Sequence, residues 1–173
     1  MGNVVVLAAT VEQLEMLRTD RAAFGVLLGS EAPDGWPVFP ESIEFTIAQL
    51  TEHPHQADWW MHFFLAYGGS LLVGSGGFVG PPVDGVVEIG YEIAPAYRDR
   101  GLATEATRAM INKAVASGRV GGVIAHTLAA ENPSTGVLRR LGFRWSREVT
   151  HAEDGDLWRW ELPVPVATAA RSA

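Results

Sequence analysis

The sequence predicts an α/β (α+β) fold: a central mixed, mostly antiparallel sheet of about six to seven strands, flanked by about four helices. Three observations carry this. In Val86–Ile93, Val87, Ile89, Tyr91 and Ile93 alternate with Glu88, Gly90 and Glu92, the period of two expected of a strand with unlike faces. From Leu102 the period becomes helical: Leu102, Ala106, Met110 and Ala114 make a stripe, with Ala103, Ile111 and Val115 beside it. A short apolar strand, Val123–Leu128, follows that helix. Strand, crossover helix and strand imply a parallel pair with a right-handed connection.

The remaining elements follow in order. Val4–Leu7 is a first apolar strand, and Thr10 caps the next helix, with Gln13 in capping-box position. Leu14, Leu17, Phe24 and Val26–Leu28 continue as one broken helix or two short ones. Ser30–Pro40 contains three prolines and is irregular; Trp36, Val38 and Phe39 predict that it packs down. Glu41–Glu52 has helical spacing at Ile43, Ile47 and Leu50. Trp59–Tyr67 and Leu71–Val79 read as a hairpin turning at Gly68-Gly69. With Val86–Ile93 they form an antiparallel meander. Ser134–Leu141 is a brief helix stopped by Gly142, and Phe143–Thr150 and Leu157–Val164 make a last hairpin.

Composition narrows the function classes. A chain of 173 residues, 47% hydrophobic and 19% charged, reads as a single globular domain over 1–166 with a frayed tail at 167–173. The absence of cysteine excludes disulfides, thiolate metal sites and a cysteine nucleophile. His53, His55, Asp58 and His62 share no spacing that would converge on a metal, so none is expected. The net charge of −7 argues against nucleic acid as a partner. The start lacks a basic n-region and no stretch approaches the ~20 apolar residues of a membrane span. A cytoplasmic enzyme without membrane attachment is the natural reading.

Two glycine-containing stretches invite a phosphate reading. Gly74-Ser75-Gly76-Gly77 fails on context, since no helix follows; bulge or close-approach glycines within a strand fit better. Arg98-Asp99-Arg100-Gly101-Leu102-Ala103 does precede a helix, whose start offers unpaired N–H groups and partial positive charge to an anion. The plainer reading is a connection carrying two solvated arginines.

Arg98-x-x-Gly101-x-Ala103 after Glu88-Ile89-Gly90-Tyr91 resembles the acetyl-CoA motif of the GNAT superfamily of N-acetyltransferases, and most of all its ribosomal-protein N-terminal (Rim-type) branch. A second block agrees: His126-Thr127-Leu128, then Asn132-Pro133-Ser134-Thr135 through Arg140-Leu141-Gly142-Phe143. The likeness covers about Val86–Phe143. It implies a sheet splayed between the fourth and fifth strands, with acetyl-CoA as cosubstrate and its pantetheine lying in the splay. It puts the pyrophosphate on the N–H groups of Arg100, Gly101, Leu102, Ala103 and Thr104, beside Arg98. The thioester falls near Tyr91 and Ile93, with Asn132 and Arg140 as further contacts. It implies direct attack by a primary amine, a peptide N-terminus or a small amine, without a metal; a homodimer is compatible with it. Glu88 is the favoured general base, Glu92 the second candidate, and Ser134 the donor to the leaving thiolate. Each has a plainer alternative: a solvated sheet carboxylate for Glu88 and Glu92, a helix N-cap for Ser134. Asp99 stands where the family usually has glycine. Two alternatives to the enzyme remain: an acyl-CoA-binding regulatory module without turnover, and an unrelated α/β binding domain.

Overall fold

The structure, a computed structural model, describes residues 3–165; the tail expected at 167–173 lies outside them. Strand β1 (Val5–Ala8) leads into helices α1 (Val11–Thr19), α2 (Arg21–Leu28) and α3 (Glu41–Glu52). Strands β2 (Met61–Ala66), β3 (Leu71–Phe78) and β4 (Val86–Ile93) follow, then helix α4 (Leu102–Ala116), β5 (Gly122–Leu128), α5 (Pro133–Arg140), β6 (Arg144–His151) and β7 (Gly155–Pro163). The seven strands form one sheet in the order β1-β2-β3-β4-β5-β7-β6, antiparallel except for β4 and β5. Among the described residues five α-helices are present where about four were expected, because Asp20 ends α1 and caps α2 with its own side chain.

Local chemistry accounts for the boundaries. The capping box is made: Thr10 Oγ1 accepts from Gln13 N at 3.1 Å, and Gln13 Oε1 accepts from Thr10 N at 3.0 Å. Strand β2 starts at Met61 rather than Trp59, because Pro54–Trp59 coils into a 3-10 turn. Gly142, at φ 91°, supplies the left-handed stop after α5. No helix among the described residues is long and apolar enough to cross a membrane.

Two cores sandwich the first half of the sheet. On one face, Val87, Ile89 and Ile93 of β4 pack with Leu102, Ala106, Met110 and Ala114 of α4, and this core continues through Val123, Ala125 and Trp160. On the other, Leu14, Leu17, Phe24, Ile43 and Leu50 of α1 to α3 cover Phe63, Leu65 and Leu72. Trp36 joins this second core, stacked on Phe24 (6.3 Å between centroids) and edge-on to Phe63 (6.2 Å). Its Nε1 donates to Ser75 Oγ at 3.0 Å. Burying a large aromatic side chain contributes ~3 kcal/mol, which anchors a loop that has no ladder of its own. The expectation that the whole loop packs down holds only for Trp36: Val38 and Phe39 are 42% and 58% exposed. Val26 of α2 is also exposed.

Candidate active site

The parallel pairing of β4 with β5 covers only Val86–Gly122, Val87–Val123 and Glu88–Ile124. Beyond Glu88, β4 stays with β3 as far as Ile93, and β5 stays with β7 as far as Leu128, so the two strands part. Strand alternation decides what faces the opening. Glu88 O accepts from Val79 N and Ala94 N donates to Val73 O, so even-numbered residues of β4 point their main chain to β3. Tyr91 and Ile93 therefore point theirs into the gap. On β5, Gly121 O and Ala129 N serve β7, which leaves His126 and Leu128 facing the gap from the other side. An amide-bearing extended ligand can pair with such groups as an added strand would.

At one end of this gap lies the start of α4. Gly101 is its N-cap at φ 76° and Asp99 sits at φ 60°, so the turn has two left-handed positions. Aspartate is among the few residues that tolerate that region, which is how Asp99 can occupy a place usually held by glycine. Its side chain is exposed. No hydrogen bond among the described residues uses the N–H groups of Asp99 through Thr104, and no side chain caps the helix. A Cβ built on Gly101 meets nothing within 4 Å. Unpaired donors, a helix dipole and open space suit a pyrophosphate, so the cradle fits the anionic part of acetyl-CoA. Leu102 is buried in the core and offers only its main chain; Ala103 and Thr104 are half-buried. Arg100 lies over the Tyr97 ring at 5.7 Å. Arg98 turns back, Nε donating to Ile93 O at 3.1 Å.

The side-chain candidates separate. Tyr91 spans from β4 to α5, its hydroxyl donating to Ser134 O at 3.4 Å, and burial pushes its pKa up to about 12. The N-cap of α5 is Asn132, not Ser134: Asn132 Oδ1 accepts from Ser134 N at 2.9 Å and Thr135 N at 3.2 Å, while Nδ2 donates to Ala130 O. Asn132 is thereby committed to the backbone, whereas the Ser134 hydroxyl takes no part in capping and lies beside the Tyr91 hydroxyl. Arg139 is held by both oxygens of Glu131 at 2.7 Å; Arg140 is exposed and carries no such pair.

Glu92, the second base candidate, is engaged by main-chain donors. Its two oxygens accept from Val38 N (2.9 Å) and Phe39 N (3.2 Å), clamping the irregular loop onto the sheet. Burial raises its pKa, opposed by those two N–H donors and by Arg98. Glu92→Gln leaves one acceptor oxygen for two donors. It is expected to raise KM for the amine while kcat falls only a few-fold; a fall of ~10²-fold or more in kcat would make Glu92 the base.

Glu88 has a partner that the sequence reading did not assign. His126 Nδ1 and Glu88 Oε1 are 2.8 Å apart, across the point where β4 and β5 separate. The signal was present: a parallel register pairing Glu88 with Ile124 puts His126 next along the same face. The other clustered histidines go elsewhere. His62 is fully buried, with Nδ1 on Trp60 O and Nε2 beside Lys113 Nζ, and burial holds its pKa down at about 4. Asp58 pairs with Lys113 at 2.8 Å.

A sheet opened between parallel strands, above an uncapped glycine-led helix start, defines the acyl-CoA-dependent acyltransferase class. The family comparison agrees: the model of the acetyltransferase (GNAT) domain matches residues 17–144. The chain belongs to the GNAT acetyltransferase family. Among solved structures, it is similar to RimL, the ribosomal L7/L12 alpha-N-protein acetyltransferase, in complex with coenzyme A (18% identity, 94% of each chain, TM-score 0.66). It is also similar to a microcin C7 self-immunity acetyltransferase in complex with acetyl-CoA and AMP (17% identity, 94% of this chain and 93% of that one, TM-score 0.65). A third is the ribosomal-protein-S5-alanine acetyltransferase from Vibrio fischeri (16% identity, 93% of each chain, TM-score 0.65). At these identities the likeness is one of fold.

Proposed function

We propose that the chain transfers the acetyl group of acetyl-CoA to a primary amine, a peptide N-terminus or a small amine, by direct attack in a ternary complex within the gap between β4 and β5. The observation that carries this is the end of parallel pairing at Glu88–Ile124, with main-chain groups of Tyr91, Ile93, His126 and Leu128 left facing the opening. The N–H groups of Arg100 to Thr104 hold the pyrophosphate. The Ile93 N–H polarises the thioester carbonyl and stabilises the oxyanion as the amine attacks. Glu88 belongs to the machinery that removes the amine's proton. Ser134, at the start of α5, gives a hydrogen bond to the departing thiolate.

Free-thiol release from acetyl-CoA across a panel of primary amines tests the reading. An acyl-CoA-binding regulatory module would bind acetyl-CoA and release no thiol with any of them. The Ser134 assignment has its own check. Asn132, not Ser134, does the capping, so Ser134→Ala leaves the helix start intact. We expect kcat to fall by ~10-fold or more with KM for acetyl-CoA nearly unchanged, the mark of an interaction made mainly in the transition state. A rise in KM with kcat intact would make Ser134 a binding residue only.

A further inference from the structure

We propose that His126 takes the acceptor's proton: its Nε2 is the general base of the transfer, and Glu88 is a positioning residue that fixes the imidazole through Nδ1. The inference rests on the acetyl-transfer reading above and names the proton acceptor within it. Glu88 and His126 lie on one face of the sheet, on the two strands that border the gap, at 2.8 Å. An ionised carboxylate only accepts, so the hydrogen between them belongs to Nδ1. An imidazole protonated at Nδ1 carries its lone pair at Nε2, and Nε2 of His126 has no hydrogen-bond partner among the described residues. The side chains are 20% (His126) and 34% (Glu88) exposed, covered enough to be held and open enough for a water to reach. Glu92 and His62 provide the contrast: one has both oxygens gripped by main-chain donors, the other has both nitrogens engaged in the core.

Chemistry favours the imidazole over the carboxylate. As chemical classes, an imidazole is better matched than a carboxylate to accept a proton from an ammonium. The proton inventory closes. R–NH3+ gives one proton, through a bridging water, to Nε2; Glu88 stabilises the resulting imidazolium. The amine lone pair forms the C–N bond at the thioester carbon, and the C–S bond breaks with its electron pair on sulfur. A second proton from nitrogen neutralises the thiolate, and the amide keeps the third hydrogen. The imidazolium then returns its proton to solvent. Other charges face His126 from each neighbouring strand. Arg159 of β7 stands opposite it, paired with Glu161 at 2.8 Å; Arg147 of β6 lies beyond Arg159; Glu92 is further along β4.

His126→Asn keeps an N–H near the Nδ1 position to meet Glu88 and has nothing in the place of Nε2. With acetyl-CoA and two probes, an unblocked serine-initiated hexapeptide and 1,4-diaminobutane, kcat should fall ~10²–10⁴-fold near neutral pH. KM for acetyl-CoA should hold, and the remaining rate should climb with hydroxide rather than follow an imidazole titration. Wild-type rate and pH profile in this variant overturn the assignment while leaving acetyl transfer standing. Nitrogen NMR of the labelled wild-type chain needs no acceptor. Near neutral pH the His126 signals should report Nδ1 protonated and Nε2 bare, and an Nε2–H tautomer overturns the proposal whether or not either amine is turned over. Failure of the underlying reading looks different: the wild-type chain releases no thiol with any amine, whether or not acetyl-CoA binds.

Discussion

Gly101→Glu is expected to weaken acetyl-CoA binding by at least ~10²-fold, about 2.7 kcal/mol, without unfolding the chain. Gly101 caps α4 at φ 76° with no side-chain partner, and the space where its Cβ would stand is empty. A glutamate there adds a carboxylate on two methylenes beside the free N–H groups of Arg100 to Thr104. Phosphate oxygens would meet like charge and lose room at once. The backbone cost is modest: a non-glycine residue in this region is strained by ~1–2 kcal/mol, and Asp99 already tolerates it two residues earlier. Gly101→Ala is the control, since it carries the same strain without the charge. Calorimetric titration with acetyl-CoA, beside circular dichroism of each variant, gives the answer. Wild-type affinity in a folded Gly101→Glu chain would remove the pyrophosphate from this turn.

Gly77→Ala is expected to cost ~3 kcal/mol or more of folding stability, at the upper end of what overpacking produces. The three glycines of β3 each face a neighbour at close quarters. A Cβ on Gly77 would collide with the Trp60 carbonyl, one on Gly74 with the Glu92 carbonyl, and one on Gly76 with the Phe64 ring and the Gly90 carbonyl. Main chain cannot step aside as a flexible side chain can, so the strands themselves must shift. Gly90→Ala, on the adjacent strand, meets nothing within 4 Å and should change stability by under ~1 kcal/mol. Urea unfolding read by tryptophan fluorescence would show the midpoint of Gly77→Ala lowered by about 1–2 M at an unchanged slope. Equal midpoints for the two variants would mean that the close approach at Gly77 is relieved without strain.

These glycines illustrate what the sequence could and could not disclose. Gly74, Gly76 and Gly77 read as close-approach positions because no helix followed them, and each proves to face a carbonyl or a ring. Val86–Ile93 was legible residue for residue, since alternation runs its whole length and Pro95 follows closely. The capping box at Thr10 was equally plain. What escaped was non-local. The insertion of β7 between β5 and β6 depends on which strand edge remains free, which no local pattern records. The clamp from Glu92 to Val38 and Phe39 joins residues more than fifty positions apart, so two carboxylates that looked alike along β4 differ through partners elsewhere in the chain. Asn132 outcompeted Ser134 for the helix start because proline at 133 already occupies the first helical position. His126 stood in view within the second motif, but only a parallel register brings it to Glu88.

The short seam between β4 and β5 also bears on mechanics. Two half-sheets, β1 to β4 and β5 to β7, meet through three residue pairs and through the shared core beneath α4. On the opposite face nothing but the Glu88–His126 contact bridges the opening among the hydrogen bonds described. A cosubstrate lying along that opening becomes a temporary rung of the sheet, and its binding free energy is added to the cohesion of the two halves. At a concentration a hundred times its dissociation constant, such a ligand contributes ~2.7 kcal/mol to the folded state. The donor is thus also a clasp. Lesions in α1 or β6, remote from any chemistry, are felt most when acetyl-CoA is scarce, and the protein's endurance follows the supply of its own substrate.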